Sequence, residues 1–495
     1  MRILYLDLDT LRPDHLGCYG YQRNTSPNID GIARQGVRFE NFYTSDAPCL
    51  PSRAALFNGR FGIHTGVVGH GGTAADPYIE GPNRRFRTAA SRTAWVSMFR
   101  EAGLRTVSIS PFAERHSAWW FYTGFNEMVN TGKGGLERAD EVTPHALNWI
   151  EKNGRQDNWF LQINFWDPHT PYRTPMEYGN PFEGEPIPDW LTEEMIQEHR
   201  ASYGPHSASE PIHLDEPKDY PWPRVPTTIN GLADFRRWID GYDVGIRYMD
   251  DHIGRILNAL ADQGVLDDTV VMISSDHGES LGESNVYGDH QTADHIVSRV
   301  PLIIRWPRMK SGAVDNALHY NLDLPPTTAE MLGREAPAVW DGKSFASTLK
   351  DGAAGASIPI CRDKPNGRDY LVLSQCAWSC QRAVRFGPYV MIRTYHDGFK
   401  NFPNQMLFDV EKDPHQTNNL ADHQWEVVLQ AHNLLDEWHA DMMSTSEQAA
   451  DPLRTVMREG GPFHVRGELE NYCKRLRATG RAHHAAKLEA QYGRK

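Results

Sequence analysis

The amino-acid sequence predicts an α/β protein with a large, mostly parallel central sheet flanked by helices and a smaller C-terminal antiparallel sheet. Through the first two thirds of the chain, apolar runs of strand length alternate with helical patterns. Strands that alternate with helices form parallel sheets. From about residue 366 the pattern changes to short strands, such as those at 370–374 and 389–393, which indicate an antiparallel sheet.

The first strand, at 3–8, is apolar on both faces, which is typical of a central parallel strand buried on both sides. The elements predicted after it are, in order, a helix near 27–36, a helix near 90–102, a strand at 105–109, a strand at 159–165, a long helix near 242–263, and strands at 269–274 and 301–306. Helices near 424–443 and 465–490 complete the chain.

Acidic residues and histidines follow the ends of three of these strands. In parallel α/β sheets, ligands bind outside the carboxyl ends of the strands. The sequence therefore predicts a site built from Asp9, Asp167, His169, Asp276 and His277. The polar and tryptophan-containing region 173–235 is interpreted as a surface insertion that walls this site.

A chain of 495 residues exceeds what one small core organises, so we expect a large domain at 1–365 and a C-terminal subdomain at 366–495. The net charge of −13 argues against nucleic acid as a partner. Residues 1–6 enter a strand directly, without the pattern of a signal peptide, and no uncharged run is long enough to span a bilayer. We therefore expect a cytoplasmic protein that does not bind membranes.

The segment Cys49-Leu50-Pro51-Ser52-Arg53 is the decisive motif, because it has the C-x-P-x-R pattern of an enzyme family, the sulfatases. Further segments that resemble this family occur in order over nearly the whole chain, at 9–20, 26–30, 167–172, 275–279, 299–304, 407–414 and 418–421. The sequence is thus identified as resembling the formylglycine-dependent sulfatases of the alkaline phosphatase superfamily, and the resemblance implies their α/β fold.

The resemblance also implies the chemistry. In that family a maturase oxidises the motif cysteine, here Cys49, to formylglycine, whose hydrate supplies the nucleophile. One hydroxyl attacks sulfur and expels the alcohol, and the second then loses its proton so that sulfate leaves without attack of water on sulfur. This is covalent catalysis in two easier steps.

One divalent metal ion is implied as well, held by Asp9, Asp276, His277 and the modified Cys49. Many sulfatases have a second aspartate after the first, where this chain has Thr10. Asp7, two residues earlier on the same strand face, either replaces that ligand or is a structural carboxylate near the site. Calcium is the ion that the family predicts, although the imidazole of His277 would suit manganese or zinc.

The remaining site residues follow from the same resemblance. His169, in Asp-Pro-His-Thr-Pro-Tyr, corresponds to the histidine that protonates the leaving alcohol, and Arg53 to the residue that holds the nucleophile and the sulfate. Two family lysines are absent; Arg115 and His116 are predicted to stand in for the first and its neighbouring histidine, and His290 for the second.

The predicted function is hydrolysis of small carbohydrate or aryl sulfate monoesters, with the maturase as a protein partner and a homo-oligomer as an open possibility. A phosphonate monoester or phosphodiester hydrolase of the same superfamily is the alternative, because such relatives use formylglycine, one leading aspartate and an Asp-His pair. An inactive binding protein is a third reading, against which the intact Cys49, Asp9 and His169 argue.

Overall fold

A computed structural model describes residues 1–80, 87–88, 93–212, 222–350 and 367–493. Its strands are β1 (Arg2–Leu8), β2 (Val37–Tyr43), β3 (Asp46–Ala47), β4 (Ile79–Glu80), β5 (Arg87–Thr88), β6 (Arg105–Ile109), β7 (Glu127–Val129), β8 (Trp159–Phe165), β9 (Thr269–Ser275), β10 (Ser280–Leu281), β11 (Tyr287–Asp289), β12 (Leu302–Arg305), β13 (Ala313–Tyr320), β14 (Tyr370–Gln375), β15 (Cys380–Phe386), β16 (Tyr389–His396) and β17 (Gln405–Asp409).

The α-helices of the described residues are α1 (Pro27–Gln35), α2 (Cys49–Asn58), α3 (Gly62–Thr65), α4 (Trp95–Glu101), α5 (Phe112–Arg115), α6 (Ala139–Asn153), α7 (Glu193–Ala201), α8 (Leu232–Asp262), α9 (His295–Ser298), α10 (Leu324–Met331), α11 (Ala346–Lys350), α12 (Trp425–Thr445), α13 (Pro452–Arg458), α14 (Leu469–Ala478) and α15 (Ala482–Tyr492). None of the helices in these ranges has the length and apolar character needed to cross a membrane.

The predicted central sheet is confirmed, with eight strands in the order β13-β2-β12-β9-β1-β8-β6-β7. Strand β1 lies between β8 and β9, parallel to both, and Leu8 is in register with Phe165 and with Ser275. The three strands therefore end at the same level. Asp9 and Asp276 follow their strands directly and Asp167 follows β8 after one residue, so the three lie at one edge of the sheet, as expected for parallel strands.

One predicted strand runs in the unexpected direction. β12 pairs antiparallel with both β9 and β2, while the other pairs of this sheet among the described strands are parallel. The chain between β9 and β12 contains the short β10–β11 hairpin, with a 3-10 turn at Glu283–Asn285, and the four-residue helix α9. Because this connection lacks a crossover helix that would carry the chain back across the sheet, β12 enters from the carboxyl edge.

The side chains of β1 alternate between two cores. Leu4, Leu6 and Leu8 pack in the cluster that includes α8, whereas Ile3 and Tyr5 pack in the cluster on the opposite face. Successive residues of a strand point to opposite faces, and both faces of this sheet are covered. This is why the sequence of β1 is apolar without alternation.

The long helix α8 begins ten residues earlier than the predicted start at 242. Phe235, Trp238 and Ile239 are buried, and their spacing continues the apolar stripe of the helix. The first turn of this helix, through Phe235, fell within the region 173–235 that we interpreted as an insertion, which hid the helix start. The first residues of the predicted helix at 90–102 lie outside the described residues, and the helix is observed as α4.

The smaller sheet has the order β17-β16-β15-β14-β3, and its strands β14 to β17 are antiparallel as predicted. Its edge strand β3 comes from the N-terminal part of the chain and pairs parallel with β14, with Ala47 in register with Gln375. The second sheet is thus joined to the segment that immediately precedes Cys49. The predicted boundary between 365 and 366 lies outside the described residues, and the division into two domains stays a prediction.

Candidate active site

Cys49 is the first residue of α2 and follows β3 after a single residue. Arg53 lies four residues later, and residues four apart lie on the same face of a helix. Pro51 is accommodated because the first turn of a helix needs no amide donor there. The fixed positions of the C-x-P-x-R motif are therefore explained by one turn of helix that presents Cys49 and Arg53 side by side. Both residues are about 1% exposed.

Four predicted ligands meet at this helix start. One ligand atom from each of Asp9, Cys49, Asp276 and His277 lies within 4.8 Å of all the others, and all four residues are buried. The Nδ1 atom of His277 lies 2.8 Å from the carbonyl oxygen of Gly278 and must donate to it. The Nε2 atom then carries the lone pair, and it lies 3.0 Å from the Cys49 Sγ.

These four residues fit a divalent cation. Asp9 Oδ1 is buried and has no hydrogen-bond partner within the described ranges, although an unpaired buried carboxylate oxygen costs free energy. Two carboxylates and a neutral imidazole with a free nitrogen are ligands that such an ion accepts. The donor set alone leaves calcium, manganese and zinc open as the ion.

Arg53 is surrounded by three carboxylates. Its guanidinium donates to Asp7 at 2.9 and 3.0 Å, to Asp9 at 3.1 Å and to Asp276 at 2.5 Å. One positive charge thus faces three acidic groups, and this excess of negative charge favours the binding of a further cation beside them. Burial and the neighbouring charge of Asp276 raise the pKa of Asp9 well above its usual value. Burial also acts to raise the pKa of Asp276, but Arg53, His277 and hydrogen bonds from two backbone amides together outweigh it and lower that pKa.

Asp7 pairs with Arg53, and one guanidinium nitrogen, Nη2, donates to both Asp7 and Asp9. The two carboxylate oxygens of Asp7 accept from the guanidinium, and Oδ2 also accepts from Gln162 Nε2 at 3.2 Å. Asp7 is not one of the four residues that share the ligand cluster. Of the two alternatives left open by the sequence, this geometry favours the structural carboxylate.

A cavity of about 480 Å³ opens onto Cys49. Four of the predicted site residues, Arg115, His116, His169 and His290, lie in its wall, whereas Arg53 is not among the lining residues. The residues that line the cavity are Cys49, His70, Arg115, His116, Gly134, His169, Thr170, Pro171, His206, Ile212, Gly288, Asp289, His290, Trp378, Phe463 and His464. His206 and Ile212 come from the region 173–235, which therefore contributes to the wall as predicted.

His169 faces this cavity through one nitrogen. Its Nδ1 donates to the carbonyl oxygen of Thr170 at 2.5 Å, so Nε2 is the atom available to a substrate. Burial, with Arg115 and His290 nearby, lowers the pKa of His169 well below the usual value. A negatively charged ester in the cavity opposes this effect, because an adjacent anion favours the protonated imidazole.

Arg115 and His290 line the same cavity as His169, and the ring of His290 lies 5.6 Å from that of His169. The Arg115 guanidinium lies over the ring of Trp166 at 4.9 Å and donates to Gly134 O at 3.1 Å. The His290 ring lies 4.1 Å from that of His277, and burial together with His277 lowers the pKa of His290 to about 3. Both side chains are thus held where an anionic group could approach Cys49.

Residues 2–334 match the protein family described as Sulfatase, which is more than half of the chain. The chain belongs to the sulfatase family. It is therefore classed among the sulfuric ester hydrolases. Residues 282–441 additionally match the family described as N-sulphoglucosamine sulphohydrolase, C-terminal.

Relatives of this sulfatase are similar over most of their length. The chain is 23% identical to the uncharacterized sulfatase YidJ of Escherichia coli, covering 91% of this chain and 88% of the relative. It is 23% identical to an N-acetylglucosamine-6-O-sulfatase of Bacteroides thetaiotaomicron, covering 84% and 82%. It is 25% identical to a choline-sulfatase of Rhizobium meliloti, covering 82% and 79%.

Solved structures share the fold of this sulfatase. The structure of BT4656 in complex with D-glucosamine-2-N,6-O-disulfate has a TM-score of 0.67 at 19% identity, covering 90% of this chain and 98% of that chain. The phosphonate monoester hydrolase SpPMH of Silicibacter pomeroyi has a TM-score of 0.64 at 19% identity, covering 90% and 96%. At these identities the likeness establishes the fold of the superfamily, and no substrate.

Sequence reasoning missed part of the cavity wall of this sulfatase. His70 Nδ1 lies 2.9 Å from His464 Nε2, and the ring of His464 stacks on Trp378. His116, which was predicted, lies beside this group, with its ring 5.0 Å from that of His70. His70 lies about 300 or more positions before Trp378 and His464 in the sequence. None of these three residues lies in a motif, so no local signal could have identified them.

Proposed function

We propose that this sulfatase hydrolyses sulfate monoesters of carbohydrates or phenols, with Cys49 matured to formylglycine as the nucleophile and one divalent metal ion as cofactor. The observation that carries the proposal is the meeting of Asp9, Cys49, Asp276 and His277 within 4.8 Å of one another, with Cys49 also lining the cavity. The nucleophile position, the ligands and the substrate space are thus one continuous site.

Asp9, Asp276, His277 and the matured Cys49 would hold the ion, and calcium is our first choice. A bound divalent ion lowers the pKa of a hydroxyl and stabilises negative charge on sulfate oxygens. The maturase is the protein partner that this chemistry requires. Arg53 keeps Asp9 and Asp276 in place, since it donates a hydrogen bond to each of them.

The residues of the cavity have separate roles in this proposal. Arg115, His116 and His290 bind the sulfate oxygens. His169 gives a proton from Nε2 to the oxygen of the leaving alcohol, while its Nδ1 stays bonded to Thr170 O. That bond fixes the ring so that the proton is delivered from one direction. General acid catalysis of this kind contributes typically about 10²–10⁴-fold in rate.

Hydrolysis of phosphonate monoesters or phosphodiesters is the second candidate. The specific observation that favours it is the ligand set, in which one leading aspartate is followed by Thr10 and the fourth ligand is the imidazole of His277. An imidazole ligand suits manganese or zinc better than calcium. The identity of the ion that restores activity after chelation therefore bears on this choice.

The test is a substrate panel on the matured enzyme, comparing kcat/KM for p-nitrophenyl sulfate, sulfated monosaccharides and p-nitrophenyl phenylphosphonate. We expect the sulfates to be turned over at least tenfold more efficiently than the phosphonate. Cys49→Ala, which removes the nucleophile, supplies the blank for each substrate. A preference for the phosphonate would reject the proposal in favour of the second candidate.

A further inference from the structure

A second cluster of donor atoms surrounds Cys49 on the cavity side. One ligand atom from each of Cys49, His169 and His290 lies within 4.8 Å of the others. This cluster shares only Cys49 with the set that contains Asp9, Asp276 and His277. It therefore offers sulfur and two imidazoles, with no carboxylate.

Both histidines have a nitrogen available for a ligand. His169 Nδ1 is bonded to Thr170 O, which leaves the lone pair of Nε2. His290 is 5% exposed, and its Nδ1 has no hydrogen-bond partner in the part of the chain that the structure describes. A buried imidazole nitrogen without a partner is rare unless a ligand or water supplies one.

The two clusters differ in the ions that they suit. Calcium takes oxygen ligands, and the cluster on the cavity side has none to offer. One thiolate, two imidazoles and an open position on the cavity side match the three protein ligands and one free position of many zinc sites. Sulfur is the only donor of this cluster that the conversion of Cys49 removes.

We propose that, before Cys49 is oxidised, the chain binds a thiophilic divalent ion of the zinc class through Cys49, His169 and His290. The ion binds with loss of the thiol proton to solvent, because thiolate is the ligand form of cysteine. Conversion to formylglycine replaces sulfur by oxygen and dismantles the site. The inference rests on the proposed function only in taking formylglycine as the mature state of Cys49.

Cobalt(II) is the probe, because a cobalt–thiolate bond gives a charge-transfer band in the near ultraviolet. Untagged protein is produced without a maturase, stripped of metal and titrated with cobalt. We expect the band to appear, to be absent in Cys49→Ala, and to be absent in the matured enzyme. Loss of a direct ligand in His290→Ala or His169→Ala should weaken cobalt binding by more than the roughly 10- to 100-fold that an outer partner typically contributes.

Two further variants make the test specific. His464→Gln changes a histidine of the same cavity outside the cluster and should leave the band unchanged. Asp276→Asn, which removes a ligand of the other set, should also keep it. A band that survives His290→Ala and His169→Ala but is lost in Asp276→Asn overturns the inference, as does the absence of any band. His290→Gln is the second variant if His290→Ala does not fold. The cobalt titration uses the unconverted protein, whereas the substrate panel uses the matured enzyme. A failure of this inference is therefore distinguishable from a failure of the proposed function.

Discussion

Replacing Asp7 by asparagine distinguishes a metal ligand from a carboxylate that supports Arg53. Asp7 accepts two hydrogen bonds from the guanidinium, at 2.9 and 3.0 Å, and a third from Gln162 at 3.2 Å. Asparagine has the same shape but only one oxygen, so one of the two guanidinium contacts becomes an N–H facing an N–H. Asp7→Asn therefore loses one hydrogen bond to a charged group, between two side chains that are each about 1% exposed.

Such a bond contributes about 1.5–3 kcal/mol to the free energy of unfolding. Neutralising Asp7 also relieves a burial penalty, since burial raises the pKa of this carboxyl despite Arg53, so we expect a loss near the lower value. The metal should remain, because Asp9, Asp276 and His277 keep their positions.

Urea denaturation measures the stability, and elemental analysis measures metal per chain. Asp167→Asn is the matched control, because it replaces another buried carboxylate at the same sheet edge that bonds to the Ala139 amide. We expect about one metal equivalent in Asp7→Asn and in the control, and a large loss only in Asp276→Asn. A metal loss in Asp7→Asn as large as that in Asp276→Asn would refute the structural role and make Asp7 a ligand.

Three further predictions follow from the site and its surroundings. His169→Ala should lower the hydrolysis of a sugar sulfate by about 10²–10⁴-fold while sparing p-nitrophenyl sulfate, whose leaving group needs no proton; equal losses on the two substrates in steady-state kinetics would contradict the general acid. Chelation should abolish turnover, and one equivalent of a divalent ion should restore it; full activity of metal-free enzyme, verified by elemental analysis, would exclude the cofactor. Burial lowers the pKa of Lys400 to about 7. Between about pH 7 and the usual pKa of lysine, the folded chain therefore binds fewer protons than the unfolded chain. The free energy of unfolding should rise with pH through this window. Lys400→Met should flatten that slope in denaturation curves, and an unchanged slope would show that Lys400 is charged in the fold.

The parts of the fold that could be predicted from the sequence are those that a local pattern of apolar and polar residues determines. The apolar run of β1 and the polar residues after it predicted a central strand that ends at a site, and the parallel register with β8 and β9 brings Asp9 and Asp276 together. The direction of β12 could not be read from its sequence. A strand of the same composition can pair either way, and the connection that decides it contains no regular pattern.

The residues of the candidate site also fall into two groups: those that local motifs predicted and those that depend on contacts between distant segments. Cys49, Arg53, Asp276 and His277 lie in short motifs whose spacing a helix turn or a strand end explains. The hydrogen bonds that Arg53 donates to Asp7, and the contact between His70 and His464, depend on how distant segments pack. Such contacts leave no local trace in one sequence, which is why the role of Asp7 was left open and the outer cavity wall was missed.

The central claim is that turnover depends on the conversion of Cys49 to formylglycine. Preparations made with increasing amounts of a maturase can be compared by peptide mass spectrometry, in which conversion lowers the mass of the Cys49 peptide by about 18 Da, since the thiol is exchanged for an aldehyde. We expect kcat for p-nitrophenyl sulfate to rise in proportion to the converted fraction and to extrapolate to zero without conversion. Full activity in a preparation whose Cys49 is entirely unconverted would contradict it.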